Sequence, residues 1–397
     1  MDPRSELILI LSLLIGLGLI AQKYSRIIAS IFGLKGETLV GIEFILIGVL
    51  LGPQGFNLIT REALDGMFPV FALGLGWIGM TVMIEMDLKQ FQRMPPQLGL
   101  YSLIASLIAF GITYILIRMI LAQLPLVSKF DWALMLAVLA IPAAPEVLAA
   151  KARALGQRTR ELTRLVTMGI LDDFYSILFY LLIFPLLTSR ITGVNYHKNL
   201  LYSFAIGLLS ALILNLLTIP SRKRSELQLI LLGVVFFASG LSAMLGISPF
   251  LTCSVCGLLV ANSSLKRLRI AEVLQKAERP VFFFFLVLAG GLIELHMLNE
   301  DDMLLFTSFV AMAFVLFRWL SKYVGYWAVS RIGAPAEARQ ELPFLALSGI
   351  FIAMLVDIRL VVHSPEGNEL LYTGMLAFIL SLLFSHVALR YRVARAS

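Results

Sequence analysis

The sequence predicts an all-α integral membrane protein of thirteen transmembrane helices. Three observations lead there. Of the 397 residues, 59% are hydrophobic and 14% charged, with a mean hydropathy of +0.90, whereas a soluble chain carries about a quarter charged residues. The apolar residues come in runs long enough to cross a bilayer, bounded by charges or turn residues. Within each run polarity does not alternate, which excludes barrel strands, so each backbone must satisfy itself as a helix.

The first run, ELILILSLLIGLGLIAQ (6–22), reads as a span and not as a signal peptide. Asp2, Arg4 and Glu6 flank it in place of a basic cluster, and no small-residue cleavage site follows. Spans 2 to 5 follow at 37–55, 66–86, 98–120 and 132–150, and spans 6 and 7 at 161–187 and 199–219. Spans 8 to 10 fall at 226–243, 247–263 and 279–297, and spans 11 to 13 at 303–330, 342–358 and 369–389.

Basic residues orient them. With the N-terminus outside, the inner loops hold 23 Lys and Arg, among them Lys151, Arg153, Arg158, Arg160 and Arg164 between spans 5 and 6. The outer side holds six: Arg4, Arg61, Lys129, Arg190, Lys198 and Arg359. The positive-inside rule then puts the C-terminus in the cytoplasm. The net charge of +7 is thus topological, and nucleic acid is not expected as a partner. Cys253 and Cys256 lie in an apolar run and His197, His296, His363 and His386 are scattered. The cysteines read as buried packing, and no cofactor is called for.

Spans 1–6 and 8–13 make two sets of six with opposite orientation, joined by span 7. Such inverted repeats are a common plan of secondary transporters. Span 5, ALMLAVLAIPAAPEVLAAK, is interrupted at Pro142 and Pro145, with Ala143 and Ala144 between them. Its counterpart, span 12, reads LPFLALSGIFIAMLVD, with Ser348–Gly349 near its middle. Interrupted helices at matching places point to a binding site near the midplane.

Charges inside the spans mark that site. An ionisable residue at a helix centre costs ~2.5–3.5 kcal/mol, and the candidates are Asp172 and Asp173 in span 6, Arg318 and Lys322 in span 11, and Glu146 in span 5. The aspartates lie ~17 Å from the cytoplasmic start of their span and Lys322 ~13 Å from the end of its own, at 1.5 Å per residue. They can therefore meet, with Arg318 one turn from Lys322 on the same face. Adjacent helical residues diverge by about 100°, so one aspartate can face a water-filled cavity while the other faces a partner helix. A purely architectural ion pair is the competing reading.

These residues carry a family likeness. GILDD (169–173), after a broken span and the basic loop KARALGQRTRELTR, resembles the monovalent cation/proton antiporter superfamily, in particular its electrogenic, paired-aspartate members. GVLLGPQGFNL (48–58), GLSAMLGISPFLTCSVCGLLVANS (240–263), PVFFFFLVLAGGLIEL (280–295) and SKYVG (321–325) resemble further family segments in consistent order. The resemblance implies crossed broken helices 5 and 12. It also implies a dimerisation domain (1–95 and 223–300), a core transport domain (96–190 and 301–397) and a linker helix (191–222). By motif position, Asp173 resembles the cation- and proton-binding carboxylate, and Asp172 the partner of Lys322; Arg318, one turn from Lys322, is expected as a second ion-pair partner. The family's usual polar triplet in span 5 is here Ala143-Ala144-Pro145, followed by Glu146, an extra ligand, a relay or a solvated charge.

The implied function is exchange of Na+ or K+ for protons across the cytoplasmic membrane by an elevator-type motion, in a homodimer. A cation-coupled symporter of an organic solute and a transport-inactive sensor or scaffold are the alternatives. Adjacent aspartates on one helix, without a G-x-G-D sequence, argue against an intramembrane aspartyl protease, so no enzyme is expected.

Overall fold

The computed structural model describes residues 42–87, 95–123, 131–145, 160–192, 195–219, 223–293, 301–362 and 365–396. Span 1 and Glu146 lie outside them. Among the described residues every regular element is a helix. Among the described residues six helices are long and apolar enough to cross a membrane: Pro96–Leu121, Leu162–Arg190, Tyr196–Thr218, Arg224–Met244, Leu304–Ser330 and Gly367–Ser385. Shorter apolar helices are Phe68–Ile84, Pro249–Ser263 and Pro280–Gly291.

In chain order the helices are α1 (Ile42–Leu51), α2 (Arg61–Gly66), α3 (Phe68–Ile84), α4 (Pro96–Leu121) and α5 (Trp132–Leu139). Then come α6 (Arg160–Thr192), α7 (Tyr196–Thr218), α8 (Arg224–Met244), α9 (Pro249–Ser263) and α10 (Arg267–Gly291). The last are α11 (Asp301–Ser330), α12 (Ala336–Glu341), α13 (Gly349–Val361) and α14 (Pro365–Ala396). The chain divides into two compact units. The first comprises residues 1–87, 197–304 and 356–363, and the second 88–196, 305–355 and 364–397.

The first unit is held by close helix contacts. Lipid is as apolar as leucine, so helices associate in it by packing and by backbone approach at small residues. At the crossing of α1 and α10, a Cβ on Gly48 would fall on the Val287 carbonyl oxygen, and one on Gly290 on that of Ile45. Phe44 stacks on Phe283 beside it, with ring centroids 4.2 Å apart. A core of Trp77, Met80, Leu214, Leu231, Val235 and Val260 joins α3, α7, α8 and α9. Helix α9 begins where Ser248 accepts the Leu251 N–H at 2.9 Å and Pro249 occupies the first turn.

Helix α10 starts twelve residues before the expected span at 279. Its first turns place Ile270, Val273 and Leu274 inward while Arg269 and Glu272 face outward. This one-sided pattern carries a helix through residues that their charges alone suggested were a loop. The N-terminal half of α10 is tied by Arg267 to Asp87 and by Gln275 donating to Glu85 at 2.8 Å. On the surface, Arg224 and then Lys276 hold the Glu272 carboxyl below the usual carboxylate range.

The second unit contains both interruptions. Helix α5 stops at Leu139; Ile141 donates back to Val138 at 3.1 Å, and residues 142–144 leave the helix. Pro142 has no N–H to continue the ladder, and each proline disfavours the α conformation of the residue before it. In the other half, Leu342–Phe344 form one 3-10 turn, residues 345–348 are irregular, and α13 starts at Gly349. The break in span 12 therefore precedes Gly349, and its first residues are not α-helical. Ser381 on α14 accepts the Leu347 N–H freed there, at 3.2 Å.

Candidate functional site

Helix α6 carries the two carboxylates, both buried, at 1% and 6% exposure for Asp172 and Asp173. Around Asp172 the second unit gathers four donors. Ser102 and Ser106, one turn apart on α4, reach Oδ1 at 2.7 and 3.4 Å. Lys322 and Tyr326, one turn apart on α11, reach Oδ2 at 3.0 and 2.6 Å. A carboxylate offers about four lone-pair sites, so Asp172 is saturated as an anion. Lys322 is 1% exposed, and its Nζ donates to this carboxylate.

Asp173 has a different setting. Its Oδ1 accepts the backbone N–H of Ala143 at 3.0 Å and the Ser348 hydroxyl at 3.4 Å. One donor comes from each interrupted helix. Oxygen ligands of this kind, a carboxylate beside irregular backbone, suit a proton or a small hard cation. Such backbone is tolerated at membrane depth only where protein buries it or water lines it.

Arg318 lies within electrostatic reach of both aspartates but makes its hydrogen bonds to backbone. Its guanidinium donates to carbonyls: Pro142 at 2.8 Å, Leu345 at 3.0 Å and Ala346 at 3.4 Å. The helix breaks free those carbonyls, and the planar fork of arginine reaches three of them where an ammonium could not. Thus Pro142, Ala143, Ser348, Arg318, Lys322 and both aspartates come together. Gly349 opens α13 just behind Ser348, and Ala144 and Pro145 are buried beyond Ala143.

Sequence reasoning missed Ser102, Ser106 and Tyr326. A signal for Tyr326 existed in the four-residue spacing Arg318–Lys322–Tyr326, which places all three on one face. It also missed a further buried carboxylate in the first unit, Asp357, which accepts the Ser248 hydroxyl at 2.6 Å. A cavity of about 230 Å³ in that unit is lined by Gln54, Arg61, Asp65 and Arg359 among others, and by none of the residues around Asp172 and Asp173.

Comparison with known proteins places this architecture. The family model described as "sodium/hydrogen exchanger, transmembrane" matches residues 39–389. The structure of the sodium proton antiporter MjNhaP1 from Methanocaldococcus jannaschii at pH 8 is similar with a TM-score of 0.69 and 17% identity, over 97% of this chain and 99% of that one. An electron-microscopy map of the same antiporter gives 0.63 and 16%, over 96% and 94%. No curated protein matches by sequence. At these identities the structures speak for a shared fold; the family model, covering most of the residues, shows that the chain belongs to the sodium/hydrogen exchanger family of multi-pass membrane proteins.

Proposed function

We propose that the chain exchanges Na+ or K+ for protons across the cytoplasmic membrane, with Asp173 as the carboxylate that holds either cargo. The observation that carries this reading is the unequal treatment of two adjacent aspartates. Asp172 is saturated by Lys322, Tyr326, Ser102 and Ser106. Asp173 meets both breaks, accepting the Ala143 N–H of one and the Ser348 hydroxyl of the other. Only a carboxylate neutralised by a proton or a cation crosses at acceptable cost, because a bare charge at the membrane centre is too unfavourable to move. Competition for one carboxylate then couples the two fluxes.

In this reading the core domain (96–190 and 301–397) carries the site, elevator-fashion, past a dimerisation domain (1–95 and 223–300) that pairs with a second copy, with 191–222 as linker. Thirteen spans in two inverted sets, the N-terminus outside and the C-terminus in the cytoplasm belong to the same proposal. The 23 inner against six outer basic residues support the orientation.

The test is a pH-sensitive dye inside proteoliposomes carrying an imposed pH gradient, challenged in turn with Na+, K+ and Li+. Cation-dependent dissipation that disappears in Asp173→Asn is expected. Exchange that survives this substitution overturns the assignment of Asp173, and uptake of a labelled organic anion without cation/proton exchange overturns the antiport.

A further inference from the structure

We infer that Arg318 is a positioning residue that sets the cargo affinity of Asp173 through a single peptide group. This rests on the reading of Asp173 as the cargo carboxylate. The carbonyl of Pro142 and the N–H of Ala143 are two ends of one planar peptide unit. Arg318 donates to the carbonyl end at 2.8 Å, and the N–H end donates to Asp173 Oδ1 at 3.0 Å. The chain of contacts runs guanidinium, carbonyl, N–H, carboxylate. A positive charge on the oxygen draws electrons from the nitrogen, so the N–H becomes a stronger donor; such bonds polarise one another cooperatively.

The second donor to Asp173 is tied to the same side chain. Arg318 also holds the carbonyls of Leu345 and Ala346, and Ser348, two residues on, donates to the same Oδ1. Both segments that contact Oδ1 are therefore anchored by one guanidinium, itself 3% exposed. This accounts for Ala143-Ala144 in place of polar side chains: the donor at this position is the peptide, whose strength comes from Arg318.

The consequence has a sign. A strengthened N–H and a nearby positive charge withdraw electron density from Asp173, so both proton and cation are held less tightly and leave more easily. Removing Arg318 should make Asp173 a stronger base toward both and free three carbonyls for the cation. A merely structural role predicts the opposite, since a loosened site binds worse. Among the described residues, the charged and titratable groups close to Asp173 include Asp172, next to it on its own helix, and Arg318, Lys322 and Tyr326 on α11. The variants below leave the other three in place.

Arg318→Met and Arg318→Lys are compared with the parent in proteoliposomes, reading the cation KM at alkaline pH, where protons do not compete, together with the pH profile. Arg318→Met should lower KM by about three- to tenfold, the size expected from halving one charge-assisted hydrogen bond. Its pH profile should move to higher pH. Arg318→Lys keeps the charge and should shift both in the same direction by less. An unchanged or raised KM with an unmoved profile overturns the inference. Should Arg318→Met not fold, Arg318→Lys decides by the same two readouts. Asp173→Asn, run alongside, separates the two ideas: if it transports, the reading of Asp173 fails; if it is silent while the Arg318 variants keep the parental KM, this inference alone fails.

Discussion

Replacing Asp172 by asparagine leaves the Lys322 ammonium at 1% exposure without its anion. Removing one partner of a buried pair costs about 3–5 kcal/mol, because the other charge stays uncompensated. The reverse substitution is not its mirror image. In Lys322→Met, Asp172 keeps the Tyr326 hydroxyl at 2.6 Å and the Ser102 hydroxyl at 2.7 Å, with Ser106 at 3.4 Å. Hydrogen bonds to charged groups contribute ~1.5–3 kcal/mol each, so the two short ones retain a large part of the compensation. Lys322→Met should therefore cost about half as much as Asp172→Asn. The double variant Asp172→Asn/Lys322→Met removes both charges and should recover most of the larger loss, since it strands no ion. Thermal unfolding of the purified protein in detergent, followed by the fraction that stays monodisperse, ranks the three. Equal losses for the single variants, or a double variant worse than Asp172→Asn, would refute the idea that the hydroxyls carry the carboxylate independently of the lysine.

Tyr326→Phe keeps the ring and deletes the shortest bond to Asp172, and should cost ~1.5–3 kcal/mol in the same unfolding assay. Ser248→Ala removes at once the cap on Leu251 and the donor to Asp357; a cap alone is worth ~1 kcal/mol, so a larger loss is expected, and Ser248→Thr should retain most of it. Gly290→Val drives side-chain carbons into the Ile45 carbonyl and should abolish recovery of folded protein, whereas Gly233→Ala, where a Cβ meets nothing within 4 Å, should leave the yield unchanged, both read by size-exclusion chromatography.

The membrane class and the meeting of Asp172 with Lys322 were legible because charges are scarce in apolar runs. A depth count from each helix end then suffices to match two of them. The hydroxyls of Ser102 and Ser106 were not, since serine is common in membrane helices and nothing in its spacing names an acceptor. Arg318 was placed on the correct face, but its hydrogen-bond acceptors were not legible. Its acceptors are carbonyls that exist only because Pro142 and the residues before Gly349 interrupt their helices, and backbone acceptors have no signature in sequence. The start of α10 was hidden for a related reason. Arg267, Arg269 and Lys276 read as a loop by composition, while the period of Ile270, Val273 and Leu274 marks a helix face that charge counting ignores.

The crossing of α1 and α10 at Gly48 and Gly290 has a mechanical consequence. Two surfaces that meet through side chains can exchange one set of rotamers for another and settle in a second register. Where a carbonyl lies against a bare Cα there is nothing to rearrange, and any slide opens a gap or drives atoms into overlap. This joint has one position. Whatever else changes shape as cargo passes, it works as a fixed reference, and spectroscopic labels on α1 and α10 flanking it should report one distance in every ionic condition.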